Sequence, residues 1–177
     1  MSHVCELMRK NYKMNIPDLT QIKLVASAII VDKNSRILML KRSINHKSFR
    51  GLWQLPEGKL EVREVAREAM EREVKEETGL VVVKSEPLTV TQILTKTNGI
   101  SYLIVRIVFL VGCDGILQLS DEHKVYKWVS NKELKKLKTI VGTKQIVADF
   151  WREKRNVHSF AHWTERDGKI NYREGAG

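Results

Sequence analysis

Cysteine is nearly missing. The 177 residues contain two, Cys5 and Cys113, far apart and in no metal-ligand spacing. That excludes a disulfide-stapled scaffold and a cysteine-built zinc site, and it fits reduced thiols in a cytoplasmic protein. No apolar stretch is long enough to span a bilayer, so no membrane helix is expected. The first residues also lack the apolar segment of a signal peptide. Proline occurs only three times. No repeat or low-complexity tract interrupts the chain, which has the length of one domain with a sizeable core.

Positive charge dominates, with a net +10, but unevenly. Residues 61–79 carry seven acids against four bases, a net −3, whereas residues 124–156 carry ten bases against three acids, a net +7. The basic third is either a set of solvated faces or a surface that attracts polyanions, nucleotide or RNA. Apolar runs at 24–31 and 36–41, separated by the turn signal Asp32-Lys33-Asn34-Ser35, predict a hairpin. Residues 51–56 read as a brief extended segment leading into a helix over 65–78. Two long strands, 80–97 and 100–112, flank Asn98-Gly99, a strong hairpin dipeptide. A further strand is expected at 124–129. Ser130 then caps a short helix to Leu137, with Glu133 completing a capping box. Residues 141–155 read as a last amphipathic helix with Ile146, Phe150 and Trp151 inward. The expected organisation is an extension over 1–20, a domain over 21–155, and a polar tail over 156–177. Phe160, Trp163 and Tyr172 make that tail a candidate for docking.

The helix over 65–78 carries the most chemistry. With Glu73 as zero and about 100° per residue, Val65, Ala69, Ala66, Met70 and Val74 define an apolar arc from about 280° through 0° to 100°. Glu64, Glu68 and Glu71 mix with Arg67 and Lys75 on the opposite side, as a solvated acidic face should. Glu73, Glu76 and Glu77 instead fall inside the apolar arc, near 0°, 300° and 40°. They also crowd the last turns, where the helix dipole disfavours acids. Clustered inward carboxylates repel one another and resist desolvation. A hard cation such as Mg²⁺, which takes oxygen ligands and is often shared with phosphate, relieves both problems.

The spacing around these glutamates resembles the Nudix box. Gly58 is followed after five residues by Glu64, and after seven more by Arg72-Glu73-Val74-Lys75-Glu76-Glu77-Thr78-Gly79-Leu80, so that all nine fixed positions match. At average residue frequencies such a match arises at a given start on the order of once in 10⁹. The resemblance implies an α/β protein, a Nudix-type α/β/α sandwich with a mixed β-sheet and a loop-helix-loop that binds divalent metal and pyrophosphate. It implies a hydrolase of compounds in which a nucleoside diphosphate is linked to another group. By the match, Glu73, Glu76 and Glu77 are metal ligands for Mg²⁺ or Mn²⁺, with the Gly58 carbonyl as a further ligand. Arg72 is expected to orient the glutamates by an ion pair with Glu64 or another carboxylate of the box. Gly79 is placed as a left-handed C-cap.

Two positions depart from common members of the family. Pro56-Glu57-Gly58 replaces Pro-Gly-Gly, and Arg63 replaces a glycine before Glu64. A side chain costs about 1 kcal/mol or more wherever the loop needs positive φ. Glu57 is expected either as an exposed loop acid or as another carboxylate near the metal.

For the chemistry, a carboxylate must take a proton from the attacking water. Glu76 and Glu73 are candidates. So is a distant glutamate before the penultimate strand, where Ser120-Asp121-Glu122-His123 resembles the family's segment and Glu122 is favoured over Asp121. Arg42, after the second strand, is a phosphate-contact candidate through its two-pronged guanidinium. Trp53 is a candidate wall of the base pocket. Gly51-Leu52-Trp53-x-Leu55-Pro56 is similar to MutT-like members, so conversion of a (d)NTP or modified dNTP to monophosphate and pyrophosphate is the leading expectation. Hydrolysis of an RNA 5′ end, cap or another nucleoside diphosphate compound is the alternative. A non-catalytic ligand sensor or RNA-binding module stands behind both. Oligomeric state stays open, a homodimer included.

Overall fold

Strand β1, Gln21–Ile30, is buried at every position from Ala26 to Ile30, so both of its edges and both of its faces must be covered. The computed structural model describes residues 21–97, 100–152, 163–166 and 169–172, the last two segments by their backbone. It shows how the cover is built. The remaining elements are β2 (Ile37–Arg42), β3 (Trp53–Gln54), β4 (Glu57–Lys59), α1 (Ala66–Thr78), β5 (Val81–Thr97), β6 (Ile100–Ile116), β7 (His123–Val129), α2 (Asn131–Leu134), α3 (Thr143–Arg152), β8 (Trp163–Arg166) and β9 (Lys169–Tyr172).

β1 runs parallel to β6 and antiparallel to β4, so the sheet is mixed. β5 and β6 form the long hairpin expected around residues 98–99, which themselves lie outside the described residues. Two bulges interrupt the hairpin, one of them beside Pro87. Proline has no N–H to give a ladder, and a bulge tolerates that. β9 pairs with the end of β6 and with β8, so the backbone of part of the tail joins this sheet. The expected docking of Trp163 and Tyr172 concerns side chains outside the described set, and Phe160 lies outside it altogether.

The expected β1–β2 hairpin does not form. The Asp32 turn is real: its carboxylate accepts from the Asn34 and Arg36 N–H groups at 2.9 and 2.7 Å. Only Val31 and Ile37 bridge across it, however, and β2 leaves to join β3 and β7 in a second, three-stranded sheet. The reason is burial. β6 runs along one whole edge of β1, and β4 with the Pro56 carbonyl holds the other over Val25–Ala28, so β2 pairs no further than that first bridge.

Helix α1 covers one side of the sheets through Ala69, Met70 and Val74, against Ala28, Ile30, Leu38, Leu40 and Phe109. Helix α3 covers the other through Ile146, Val147 and Phe150, against Ile29, Val31, Met39 and Val108. This is the α/β/α layering. Trp151 is only partly buried and its indole N–H donates to the Ser35 carbonyl at 3.1 Å. Among the described residues no helix is long and apolar enough to cross a membrane.

Two local details bear on the site. Gly79 ends α1 at φ 72°, its N–H donating to the Lys75 carbonyl at 2.9 Å, which is the left-handed cap that glycine allows without a Cβ penalty. Val65, expected inward, is instead the N-cap and 61% exposed, because the helix begins one residue later, at Ala66. Arg63 sits at φ 71°, whereas Glu57, within β4, is absent from the positive-φ residues. Arg63→Gly should therefore stabilise the protein by about 1 kcal/mol, less the greater unfolded-state freedom of glycine. Urea unfolding with an unchanged m-value checks it, and a less stable variant would mean that Arg63 makes a contact worth more than its strain.

Candidate active site

The carboxylates of α1 face β4 across a very close approach. A Cβ at residue 58 would overlap the Glu73 carboxylate, so glycine there leaves the space in which that carboxylate lies. Arg72 gathers the surrounding acids. Its Nε and Nη2 donate to the two Glu64 oxygens at 2.8 and 3.0 Å. Its Nη1 donates to Glu73 at 2.7 Å and Glu76 at 3.2 Å, and Nη2 also donates to the Lys59 carbonyl at 3.0 Å. One guanidinium thus ties the C-terminal half of α1 to β4 and the loop before the helix. These bonds stabilise the charged states on both sides: Arg72 is held above the ordinary arginine range, first by Glu64, and the Glu64 carboxyl is held below its own, first by Arg72.

The three glutamates of the last turns differ. Glu77 is buried, with Oε2 accepting the Glu57 N–H at 3.0 Å and Oε1 accepting from Gln54 Nε2 at 3.3 Å. Burial pushes its carboxyl well above the usual range, against the pull of the Glu57 N–H. Glu73 is mostly buried and is also pushed up, first by burial, with Glu76 and Glu122 adding to the push and Arg72 opposing it. Glu76, which the helical wheel placed inside the apolar arc with the other two, is instead 60% exposed. Among the described residues it is tied back only by Arg72, one turn earlier on the helix. As placed, no three His, Cys, Asp or Glu side chains among the described residues converge on one point. Arg72 Nη1 lies against Glu73 and Glu76 and supplies positive charge there.

A second group approaches Glu77 from the other sheet. Arg42, at the end of β2, donates through Nη1 to Gln54 Oε1 at 3.0 Å and through Nη2 to Glu122 Oε2 at 3.0 Å. His46 Nε2 lies 2.7 Å from Arg42 Nη2 and 3.3 Å from Glu122 Oε2. His123 is fully buried beside them, its two ring nitrogens without hydrogen-bond partners and Nε2 3.6 Å from Glu77 Oε1. Burial, with Arg42 and His46 nearby, lowers it to about 4, so the ring is neutral at pH 7. Arg42, Glu122 and the box therefore meet, although Arg42 and Glu122 are 80 residues apart in sequence. Trp53 stands to one side. It is half-buried against the α3 side of the core, its backbone bonds to Lys138 and Ile140, and Lys41 Nζ is 5.9 Å from its ring centroid.

Glu57 corrects one of the two sequence expectations. It is not an exposed loop acid, and its charge adds to the push on Glu77. It is buried, accepts from Ser27 Oγ at 2.7 Å, and pairs with the fully buried Arg106, whose Nη2 donates to Oε1 at 3.2 Å while Nε lies 3.1 Å from Oε2. Arg106 also donates to the Val141 carbonyl at 3.4 Å, joining the box to the loop before α3. The sequence held a signal for this pair: Arg106 is the one charge in the apolar run of residues 102–111, and a charge in a buried strand needs a partner. Gln54, His46 and His123 had no such signal.

Comparison with known proteins agrees with this architecture. The solved structure of a MutT protein from Methanosarcina mazei Go1 aligns with a TM-score of 0.64 and 29% identity, covering 77% of this chain and 97% of that one. An ADP-ribose pyrophosphatase of Methanocaldococcus jannaschii is 34% identical over 126 residues, 71% of each chain. An 8-oxo-dGDP phosphatase of Mus musculus is 35% identical over 99 residues, 55% of this chain, which spans 28% of that relative's length. A nucleoside triphosphatase of Salmonella agona is 29% identical over 127 residues, 67% of this chain and 90% of the relative. The model of the NUDIX domain matches residues 22–150, the segment that holds both sheets' site residues and all nine positions of the box, and the chain belongs to the Nudix family.

Proposed function

We propose that the protein is a Mg²⁺-dependent hydrolase of a phosphoanhydride in a nucleoside diphosphate-linked compound, acting on a (d)NTP or modified dNTP to release monophosphate and pyrophosphate. The observation that carries this reading is the meeting of Arg42 and Glu122 at 3.0 Å beside the box, with Glu122 close enough for its charge to bear on Glu73. A phosphate-binding cation, a distant carboxylate and a carboxylate cluster are the parts such a reaction needs.

The donor set fits a hard cation. It is built of oxygens, and burial has left Glu77 a carboxyl whose ionised form a cation would stabilise. Glu73, Glu76, Glu77 and the Gly58 carbonyl are the residues that would hold it, Mg²⁺ or Mn²⁺. When bound, the ion supplies positive charge to the diphosphate and acidifies water. The chain does the rest. Arg72 keeps Glu73 and Glu76 oriented, Arg42 takes a phosphate oxygen, Trp53 walls the base side, and Glu122 accepts the proton of the attacking water, with Glu73 and Glu76 as the other candidates for that step.

The relatives' named substrates, 8-oxo-dGDP, ADP-ribose and nucleoside triphosphates, all contain a nucleoside diphosphate unit. A second reading, RNA 5′-end hydrolysis, is favoured by the exposure of Lys124, Lys132, Lys135, Lys136, Lys138 and Lys144 in the basic third. Product analysis with Mg²⁺ or Mn²⁺ separates them. The panel holds dNTPs, oxidised dNTPs and dNDPs, ADP-ribose, dinucleoside polyphosphates and capped RNA, with Glu76→Gln/Glu77→Gln protein as control. Monophosphate plus pyrophosphate from a triphosphate supports the first reading, and release from capped RNA the second. Failure of the whole panel removes both.

Metal linkage gives a prediction with a definite sign. Glu77 and Glu73 are raised above their ordinary value of 4.5. Their protonated forms favour the fold: that contribution is complete below about 4.5 and is lost as pH rises through the raised values. Cation binding favours the ionised forms instead. The difference in Tm between Mg²⁺ and EDTA samples should therefore be small near pH 4.5 and widen as pH rises to 8. His123, whose lowered pKa costs stability below about 6.5, acts in the same direction in both samples. A gap of constant size across that range would mean that neither buried glutamate binds the ion.

A further inference from the structure

We propose that Gln54 is a positioning residue that locks Arg42 and Glu77 at a fixed separation. It rests on the metal-dependent reading only in taking Glu77 as a ligand.

Arg42 and Glu77 belong to different layers, one at the end of β2 and the other in the last turn of α1. Gln54, on the two-residue strand β3, is fully buried between them. Both ends of its amide are used: Oε1 accepts from Arg42 at 3.0 Å and Nε2 donates to Glu77 Oε1 at 3.3 Å. The reverse orientation would set donor against guanidinium and acceptor against carboxylate, so the neighbours determine which way the amide points. The chain of contacts continues from Arg42 to Glu122 and His46. Gln54 is thus the link through which the carboxylate cluster and the Arg42–Glu122 pair are registered.

Neutrality is what suits an amide to this place. Glutamate at 54 would pair with Arg42 and repel Glu77, and lysine would do the reverse. In either case one of the two contacts would become a repulsion. Glutamine satisfies a cation and an anion at once and neutralises neither. Glu77 Oε2 is held separately by the Glu57 N–H. The carboxylate is therefore gripped at both oxygens, and about two of its roughly four lone-pair sites stay available to an ion.

The test uses the full chain, with Mn²⁺ alone as probe in calorimetry, so that it does not depend on turnover. Gln54→Met keeps the length and removes both hydrogen bonds. It should weaken Mn²⁺ binding about 10–100-fold, the range typical of partners that orient a metal ligand. In a Glu77→Gln background the same substitution should change the affinity less than threefold, because its route to the ion is gone. A residue that merely supported the fold would lower Tm and give equal losses in both backgrounds. If Gln54→Met does not fold, Gln54→Asn, one methylene too short to reach both partners, takes its place under the same expectations. Unchanged Mn²⁺ affinity, or equal losses in the two backgrounds, overturns the proposal. Wild-type protein that binds no Mn²⁺ overturns it together with the metal-dependent reading. Wild-type protein that binds Mn²⁺ but hydrolyses no nucleotide removes only the hydrolase reading, and the binding arms still decide on Gln54.

Discussion

Glu76→Gln should lower kcat about 10³-fold while leaving Tm within about a degree of wild type. Losing one anionic oxygen from a metal site removes several kcal/mol of charge stabilisation in the transition state. About 4 kcal/mol corresponds to ~10³ in rate. Stability should hardly move, because Glu76 is 60% exposed and its 3.2 Å contact with Arg72 is one of several that the guanidinium makes. Exposed substitutions of this kind usually lie within about 0.5 kcal/mol of neutral. Glu77→Gln makes the contrast. That carboxyl is buried and accepts a donor at each oxygen, so the amide of the variant sets its NH2 against one of those donors, and Tm in EDTA should fall while turnover is also lost. Single-turnover kinetics with excess enzyme and a melting curve in EDTA read both quantities. A Glu76→Gln enzyme with kcat within tenfold of wild type would take Glu76 out of the metal site.

Arg106→Met should cost about 3–5 kcal/mol, because it leaves Glu57 charged, buried and without its partner. At this chain length each kcal/mol moves Tm by roughly 2–4 °C, so a fall of about 10 °C is expected. Glu57→Gln combined with Arg106→Met should be more stable than Arg106→Met alone by about 2 kcal/mol. The amide keeps an oxygen for the Ser27 hydroxyl, bonded to Glu57 at 2.7 Å, and leaves no orphan charge. The non-additivity is the signature of the pair, since distant substitutions would simply sum. Urea unfolding of the two single variants and the double closes the cycle. Additive losses would mean that Arg106 acts through packing beside Gly142, not through Glu57.

The two experiments divide the box along a line that spacing alone does not draw. Glu73, Glu76 and Glu77 follow one another on a helical wheel and look equivalent there. In the fold they range from buried to mostly exposed, because β4 and the Gln54 side chain cover Glu77 while nothing comparable covers Glu76. The wheel located the face of α1 correctly, since Ala69, Met70 and Val74 are all buried. It misplaced Val65, because helical angles do not apply to a residue that precedes the helix.

Local chemistry accounts for what could be read from the chain. The nine positions of the box, the αL glycine at 79, the strained Arg63, the capping box Ser130–Glu133 and the β5–β6 hairpin all depend on residues close in sequence. Their energetics are carried by backbone conformation and by hydrogen bonds across a few residues. The pairing of β1 with β6, the departure of β2 into a second sheet, the burial of Glu57 on Arg106 and the meeting of Arg42 with Glu122 across 80 residues were decided only by the tertiary structure. A strand buried on both faces takes whichever neighbours cover all of it at once. A buried charge likewise takes whichever partner the closed fold brings within reach. Both are properties of the assembled core, and no stretch of sequence contains them by itself.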